Sequence, residues 1–169
     1  LRSLVGSEMC IRDSYMRIQN ITDMIGNTPL VRVNDKVKYY AKIEGSNLFG
    51  SVKDRAARYL MENAYNDGII KNDTVIIESS SGNFGIALAG MCKIKGNSFI
   101  CVVDPNITEV NRKIIELLGA EIIIASKTDE NGNYVQDRIQ IVRDYIGDIR
   151  DLTVFDFCLL YTSPSPRDS

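Results

Sequence analysis

Residues 74–96 read TVIIESSSGNFGIALAGMCKIKG and combine a buried-type strand, a turn of small residues and a helix. The apolar run Thr74–Ile77 predicts the strand, and Asn83–Lys95 predicts a helix that ends at Gly96. The intervening turn Ser79–Asn83 lets a ligand approach the backbone closely. The free N–H groups and the dipole of the helix start favour an anion there, such as a carboxylate or phosphate. On local sequence alone, an anion site and an ordinary Ser/Gly turn are equally good interpretations.

The alternation of strands and helices continues on both sides of this stretch. Further extended segments are expected at 28–33, 38–43, 99–103 and 121–125, and further helices at 51–65, 108–118 and 133–146. Strands that alternate with helices of this length form a parallel sheet with helices packed on both faces. We therefore expect an α/β fold with three layers, in which ligands collect at the carboxyl ends of the strands.

Lys53 lies at the start of the first of these helices, which Ser51 can cap. The helix dipole disfavours a cation at this position and therefore favours the neutral, nucleophilic amine that Schiff-base chemistry requires. A solvated surface lysine next to Asp54 is the simpler interpretation of the spacing alone. Asp104-Pro105 follows a later strand and could face the same cleft, although a strand-ending turn explains it more simply.

The composition excludes several function classes. With 169 residues the chain has room for one domain of ordinary size, and its formal net charge of −2 gives no electrostatic footprint for nucleic acid or an anionic membrane. Its apolar runs are far shorter than a membrane span. The absence of histidine, and of CxxC spacing among the four cysteines, argues against a metal site or a disulfide framework and favours reduced thiols in a cytoplasmic protein.

The two ends of the chain resemble translated sequencing adapter. Leu4–Ser14 reads LVGSEMCIRDS and Cys158–Asp168 reads CLLYTSPSPRD, and one DNA sequence, taken forward and as its reverse complement, can encode both. We therefore expect residues 1–14 and 158–169 to be non-native, and the native sequence to continue beyond Phe157. A Ser/Pro-rich disordered terminus is the alternative for the second stretch.

Four stretches, in this order and spacing, resemble the cysteine synthase family of fold-type-II pyridoxal 5'-phosphate (PLP) enzymes. They are IGNTPLVRV (Ile25–Val33), AKIEGSNLFGSVKDRAA (Ala41–Ala57), ESSSGNFGIALA (Glu78–Ala89) and CVVDPNITEVNRKIIELLGAEI (Cys101–Ile122). The similarity covers Ile21–Ile146. It implies that residues 15–37 belong to the larger domain of the intact enzyme, that 38–150 form the smaller α/β domain, that 151–157 begin the next segment, and that the full-length protein is a homodimer.

The resemblance also implies roles for individual residues. Lys53 would form the Schiff base with PLP, and Asn83 would hydrogen-bond the ring hydroxyl oxygen of the cofactor. The turn formed by Ser80, Ser81, Gly82 and Asn83 would bind the carboxylate of an amino-acid substrate. The family chemistry is β-replacement, in which the freed Lys53 amine removes the α-proton and PLP acts as electron sink. The family's glycine-rich loop for the PLP phosphate comes from its later half, so we expect this fragment to be inactive.

The residues at several motif positions resemble one branch of the family. Many cysteine synthases have P-T-S-G-N where this chain has Glu78–Asn83, and M-P where it has Asp104-Pro105. Together with GNYVQDRI (Gly132–Ile139), these departures resemble the N-(2-amino-2-carboxyethyl)-L-glutamate synthases. That branch joins O-phospho-L-serine to L-glutamate and supplies a diaminopropionate precursor for siderophore biosynthesis.

Three alternatives stay open at this point. A cysteine synthase would use O-acetylserine or O-phosphoserine with sulfide. A serine or threonine dehydratase, or a cystathionine-type synthase, would keep the fold type and change the reaction. A non-catalytic α/β module would use the Ser79–Asn83 turn only to bind an anion. In all of these the partners are small molecules, with no nucleic acid or membrane involved.

Overall fold

The computed structural model describes residues 18–34, 38–148 and 154–155, so the expectations for 1–14 and 158–169 lie outside the described residues. The helices are α1 (Lys53–Asn66), α2 (Asn83–Lys95), α3 (Glu109–Leu117) and α4 (Val135–Asp148). The strands are β1 (Leu30–Asn34), β2 (Tyr39–Lys42), β3 (Val75–Ser79), β4 (Phe99–Val103), β5 (Glu121–Ile124) and β6 (Val154–Phe155). Two short 3-10 helices lie at Ile21–Met24 and Glu44–Ser46.

The main sheet is parallel and has the strand order β5-β4-β3-β6. Its central strand β4 is buried along its whole length, as expected for a continuous apolar run in a parallel sheet. β6 was not anticipated from the sequence and pairs with the start of β3. β1 and β2 form a separate antiparallel ribbon whose side chains are mostly exposed.

Helices cover both faces of the main sheet, which confirms the three-layer α/β prediction. On one face α1, α2 and α3 bury apolar side chains such as Met61, Leu88 and Ile115 in one cluster. On the other face Val142 of α4 packs with Ile77 and with neighbouring sheet residues. Successive residues of β3 point to opposite faces, so a single strand contributes to both clusters.

Two arginines of α1 hold the amino-terminal segment to the rest of the domain. Arg55 donates to the Gly26 carbonyl oxygen at 2.9 Å and to the Glu44 carboxylate at 2.8 and 2.9 Å. Arg58 donates to the Thr22 carbonyl oxygen at 2.7 Å. The first described residues are therefore tied to the helix that begins with Lys53.

Candidate active site

α1 and α2 both begin at the carboxyl edge of the main sheet. At their other ends, the Tyr65 hydroxyl and the Asn97 side chain are hydrogen-bonded to each other, and Asn97 also donates to the Thr74 carbonyl oxygen just before β3. The two helices thus end together where β3 starts, and both run back towards the end of β3. Their first residues, Lys53 and Asn83, consequently lie on the same side of the domain, where α/β sheets place their ligands.

Lys53 is exposed, and within the described ranges no hydrogen bond or ion pair engages its amine. Its backbone N–H donates to Ser51 Oγ at 3.1 Å, but the N-cap residue is Val52 and no side chain caps the helix, so the expected cap by Ser51 is wrong. The helix itself begins two residues later than expected, at Lys53, and its entry is a tighter turn in which the Asp54 N–H donates three residues back to the Ser51 carbonyl oxygen at 3.3 Å. The free amine is available for covalent chemistry.

The Ser80–Asn83 turn leaves its outward-facing N–H groups open. The Ser80 N–H donates to the Val102 carbonyl oxygen at 3.1 Å, and Ser80 Oγ accepts from the Gly85 N–H at 2.9 Å. The N-cap residue of α2 is Gly82, which has no side chain to cap the helix. Among the described residues the backbone N–H groups of Asn83 and Phe84 have no acceptor, and Asn83 is exposed. Open N–H groups at a helix start are the donors that the anion-site interpretation of this turn requires.

The hydroxyl of Ser81 is directed into the protein. It donates to Asp104 Oδ2 at 2.6 Å and accepts from the Asp104 N–H at 3.2 Å and from Arg138 Nη1 at 3.0 Å. Arg138 Nη1 also lies 3.2 Å from Asp104 Oδ2. In this arrangement the Ser81 hydroxyl is already fully bonded, so only its backbone remains available to a substrate carboxylate.

Arg138 is the residue beside the turn that the sequence did not single out, whereas the sequence already allows Asp104 as a residue that could face the cleft. A cleft of about 150 Å³ lies beside them, lined by Asp104, Asn106, Gly132, Asn133, Tyr134, Val135 and Arg138. Arg138 Nε is buried and has no hydrogen-bond partner among the described residues. Arg138 lies close to the apolar positions of α4, which is only a weak sign in the sequence of a role in the site. Its contact with Ser81 spans 57 residues of chain.

The cysteines near the sheet are not candidate nucleophiles. Cys101 Sγ donates to the Ser80 carbonyl oxygen at 3.0 Å, and burial raises the pKa of this thiol to about 12. Burial also raises the pKa of Cys92 to about 12. Both thiols therefore stay protonated and unreactive at neutral pH.

Across residues 18–34, 38–148 and 154–155, no cluster of three or more His, Cys, Asp and Glu side chains is placed to hold a metal ion. In the same part of the chain, no helix is long and apolar enough to cross a membrane.

The donor set fits a cofactor that forms a Schiff base. It offers one unpartnered primary amine at Lys53, together with an exposed amide and open N–H groups at the start of α2. An aldehyde requires the amine, and a carboxylate or a ring oxygen can accept from the amide and the N–H groups. Lys53 is the residue that would hold such a cofactor, and Asn83 supplies the exposed amide at the start of α2.

Comparison with known proteins agrees with this chemistry. A family model described as "Pyridoxal-phosphate dependent enzyme" matches residues 21–154. A hydrogen sulfide-producing enzyme from Fusobacterium nucleatum is 32% identical with a TM-score of 0.71, over 83% of this chain and 45% of that one. An O-acetylserine dependent cystathionine beta-synthase from Helicobacter pylori is 30% identical with a TM-score of 0.66, over 82% and 46%. A cysteine synthase from Entamoeba histolytica is 29% identical with a TM-score of 0.73, over 85% and 44%. The chain thus spans less than half the length of each of these proteins.

Proposed function

The chain belongs to the pyridoxal-phosphate dependent enzyme family, and on that premise we propose that its full-length form catalyses β-replacement on an O-substituted L-serine. One observation carries the proposal. The unpartnered amine of Lys53 and the uncapped start of α2 lie at the same edge of the sheet. An amine for the cofactor and an anion site for an amino-acid carboxylate are the two groups that this chemistry needs closest to the reacting carbon.

Each residue of the site has a distinct task in this proposal. PLP, when bound, supplies an electron sink that makes the α-proton of an attached amino acid acidic. Lys53 would hold the cofactor, and its Nζ, when free, would take the α-proton of the substrate. The open N–H groups and the amide of Asn83 bind the substrate carboxylate and orient the Cα–H bond towards Lys53. Ser80 and Gly82 shape the turn that presents these donors.

For the substrates we propose O-phospho-L-serine as donor and L-glutamate as acceptor, giving N-(2-amino-2-carboxyethyl)-L-glutamate and inorganic phosphate as the Cβ–O bond is replaced by a Cβ–N bond. This choice is supported by the motif residues Glu78–Asn83 and Asp104-Pro105, which differ from those of many cysteine synthases.

The second candidate is a cysteine synthase that uses O-acetylserine and sulfide. Among the similar structures are a cysteine synthase and an O-acetylserine dependent cystathionine beta-synthase, which favours a sulfur nucleophile and an acetyl leaving group. The two candidates share Lys53 and the Ser80–Asn83 turn and differ only in leaving group and acceptor.

The visible spectrum of the PLP-loaded full-length protein separates the candidates. We expect a spectral change when O-phospho-L-serine is added, and its reversal on addition of L-glutamate. A change with O-acetylserine alone, reversed by sulfide, would instead establish the cysteine synthase reaction. Lys53→Ala is the matched control and should abolish covalent attachment of PLP. Attachment that survives this substitution, or no PLP spectrum in the parent protein, would contradict the role of Lys53 and leave the non-catalytic anion-binding module.

A further inference from the structure

The turn that leads into α1 is packed directly against α2. The ring of Phe49 occupies the space beside Gly90, and a Cβ added to Gly90 would overlap this ring. Gly90 is buried in the middle of α2, where glycine is less favourable than alanine by about 1 kcal/mol. The close approach of Phe49 explains why this helix carries a glycine at that position.

A continuous set of hydrogen bonds connects Phe49 to Lys53. The Phe49 N–H donates to Asp54 Oδ2 at 2.6 Å, and the Ser51 hydroxyl donates to Asp54 Oδ1 at 3.2 Å. Ser51 Oγ in turn accepts from the Lys53 N–H at 3.1 Å. Asp54 is fully buried, so water does not compete for these bonds. The backbone from Phe49 to Lys53 is therefore held as one unit.

The other side of the contact leads to the anion-binding turn. Gly90 and Asn83 lie on the same helix, seven residues apart, which is about two turns or roughly 10 Å of helical rise. A rigid helix thus connects the packing position of Phe49 with the start of α2. Lys53 and Asn83 come from segments 30 residues apart in the chain, and the contact between Phe49 and Gly90 joins those segments.

We propose that Phe49 and Gly90 are positioning residues, which set the spacing between Lys53 and Asn83 through the close packing of the Phe49 ring on α2. The functional meaning of this spacing rests on the proposed roles of Lys53 and Asn83. The packing itself is a property of the chain and can be measured without cofactor or substrate.

Spin labels at positions 53 and 83 measure the spacing directly. Lys53→Cys and Asn83→Cys carry the nitroxides in a background of Cys10→Ser and Cys158→Ser, because Cys92 and Cys101 are buried and unreactive. We expect a single narrow distance distribution in this parent. Gly90→Ala should shift or broaden the distribution, because the added Cβ displaces the Phe49 ring.

Two further variants distinguish positioning from a general loss of stability. Adding Phe49→Leu to Gly90→Ala removes ring atoms and should restore much of the parent distribution. Gly147→Ala is the matched control, since it also replaces a helical glycine but a Cβ there meets nothing within 4 Å. It should leave the distribution unchanged. If Gly90→Ala does not fold, Phe49→Leu alone should broaden the distribution, because it leaves a gap in the same contact.

The parallel measurement is the PLP concentration that half-saturates covalent attachment to Lys53 in the full-length protein. We expect it to rise on the order of tenfold in Gly90→Ala and to fall again in the double variant. An unchanged distance distribution in a folded Gly90→Ala protein, or in Phe49→Leu, would overturn the inference. Failure of the parent to attach PLP would refute the proposed function and leave the distance result to decide the positioning role.

Discussion

At the scale of single residues, the Glu44 side chain joins three polar residues of the described chain. Its carboxylate accepts from Arg55, from Asn47 Nδ2 at 2.8 Å and from Thr28 Oγ1 at 3.2 Å. The hydrogen bond from Arg55 is the main reason why the pKa of Glu44 is lowered to about 2. Glu44 therefore connects the segment before β1 with the helix that presents Lys53.

Glu44→Gln should remove the part of the domain's unfolding free energy that comes from the Glu44 charge and that depends on pH. The folded-state pKa of about 2 lies below the ordinary value of 4.5, so the stabilisation is present above that value and is lost as the pH falls towards 2. We expect the variant to be less stable than the parent at neutral pH and equally stable near pH 2, as measured by urea unfolding across this range.

Glu109→Gln provides the matched control for this experiment. Glu109 pairs with Lys113 at an exposed position, and such pairs contribute little to stability. If Glu44→Gln lowers the unfolding free energy by the same amount at every pH, the shape of the Glu44 side chain, and not its charge, explains its effect on stability.

At the scale of elements, local signals predicted some boundaries correctly and others less well. Both ends of α2 agree with the sequence, because the apolar run defines the helix and Gly96 adopts φ +85° at its end. α4 begins at Val135 and not at Asn133, because the Asn133 N–H donates to Asp129 Oδ1 at 2.8 Å and stays in the preceding turn. β3 continues to Ser79, opposite Val102, because pairing with β4 extends it beyond its apolar run.

Gly96→Ala should destabilise the domain by about 1 kcal/mol, because a side chain disfavours the left-handed conformation at the end of α2. A Cβ there meets nothing within 4 Å, so the cost comes from the backbone alone. Gly45→Ala is the matched control, since its Cβ also meets nothing and its φ is not positive. Equal unfolding midpoints for the two variants in urea would contradict this explanation.

At the scale of the whole molecule, the contacts that complete the site could not be deduced from local sequence. The small-residue turn at Ser80–Asn83 and its strand-turn-helix setting were predictable, because strand and helix patterns are local. The bonds that join Ser81 to Asp104 and Arg138 span 23 and 57 residues. They exist because β3, β4 and α4 meet at one edge of the sheet, which is a property of the assembled fold.

The two faces of the sheet are covered by different numbers of helices, so we expect the helices on the two faces to differ in local stability. Three helices pack on one face, whereas in the described part of the chain α4 alone packs on the other. α2 is almost fully buried between Gly85 and Cys92. We expect the amide hydrogens of α4 to exchange with solvent faster than those of α2, because opening α4 exposes less apolar surface.

Val142→Ala should accelerate exchange in α4 selectively, because Val142 is the fully buried α4 residue of that face. Met61→Ala, on the opposite face, should accelerate exchange in α1 and α2 instead. The measurement is native-state hydrogen exchange resolved by peptide. Equal acceleration in all helices for both variants would indicate that the two layers unfold as one unit.

The junction of Tyr65, Asn97 and Thr74 at the amino edge has a consequence for how this domain can vary. It holds the ends of α1 and α2 and the start of β3 together on the side opposite Lys53 and Asn83. We expect replacements at that edge to change the stability of the domain and to leave the opposite edge, with Lys53 and Asn83, unchanged in shape. Natural variation or protein engineering at this edge could therefore change the stability of the domain without changing the residues proposed to contact the substrate.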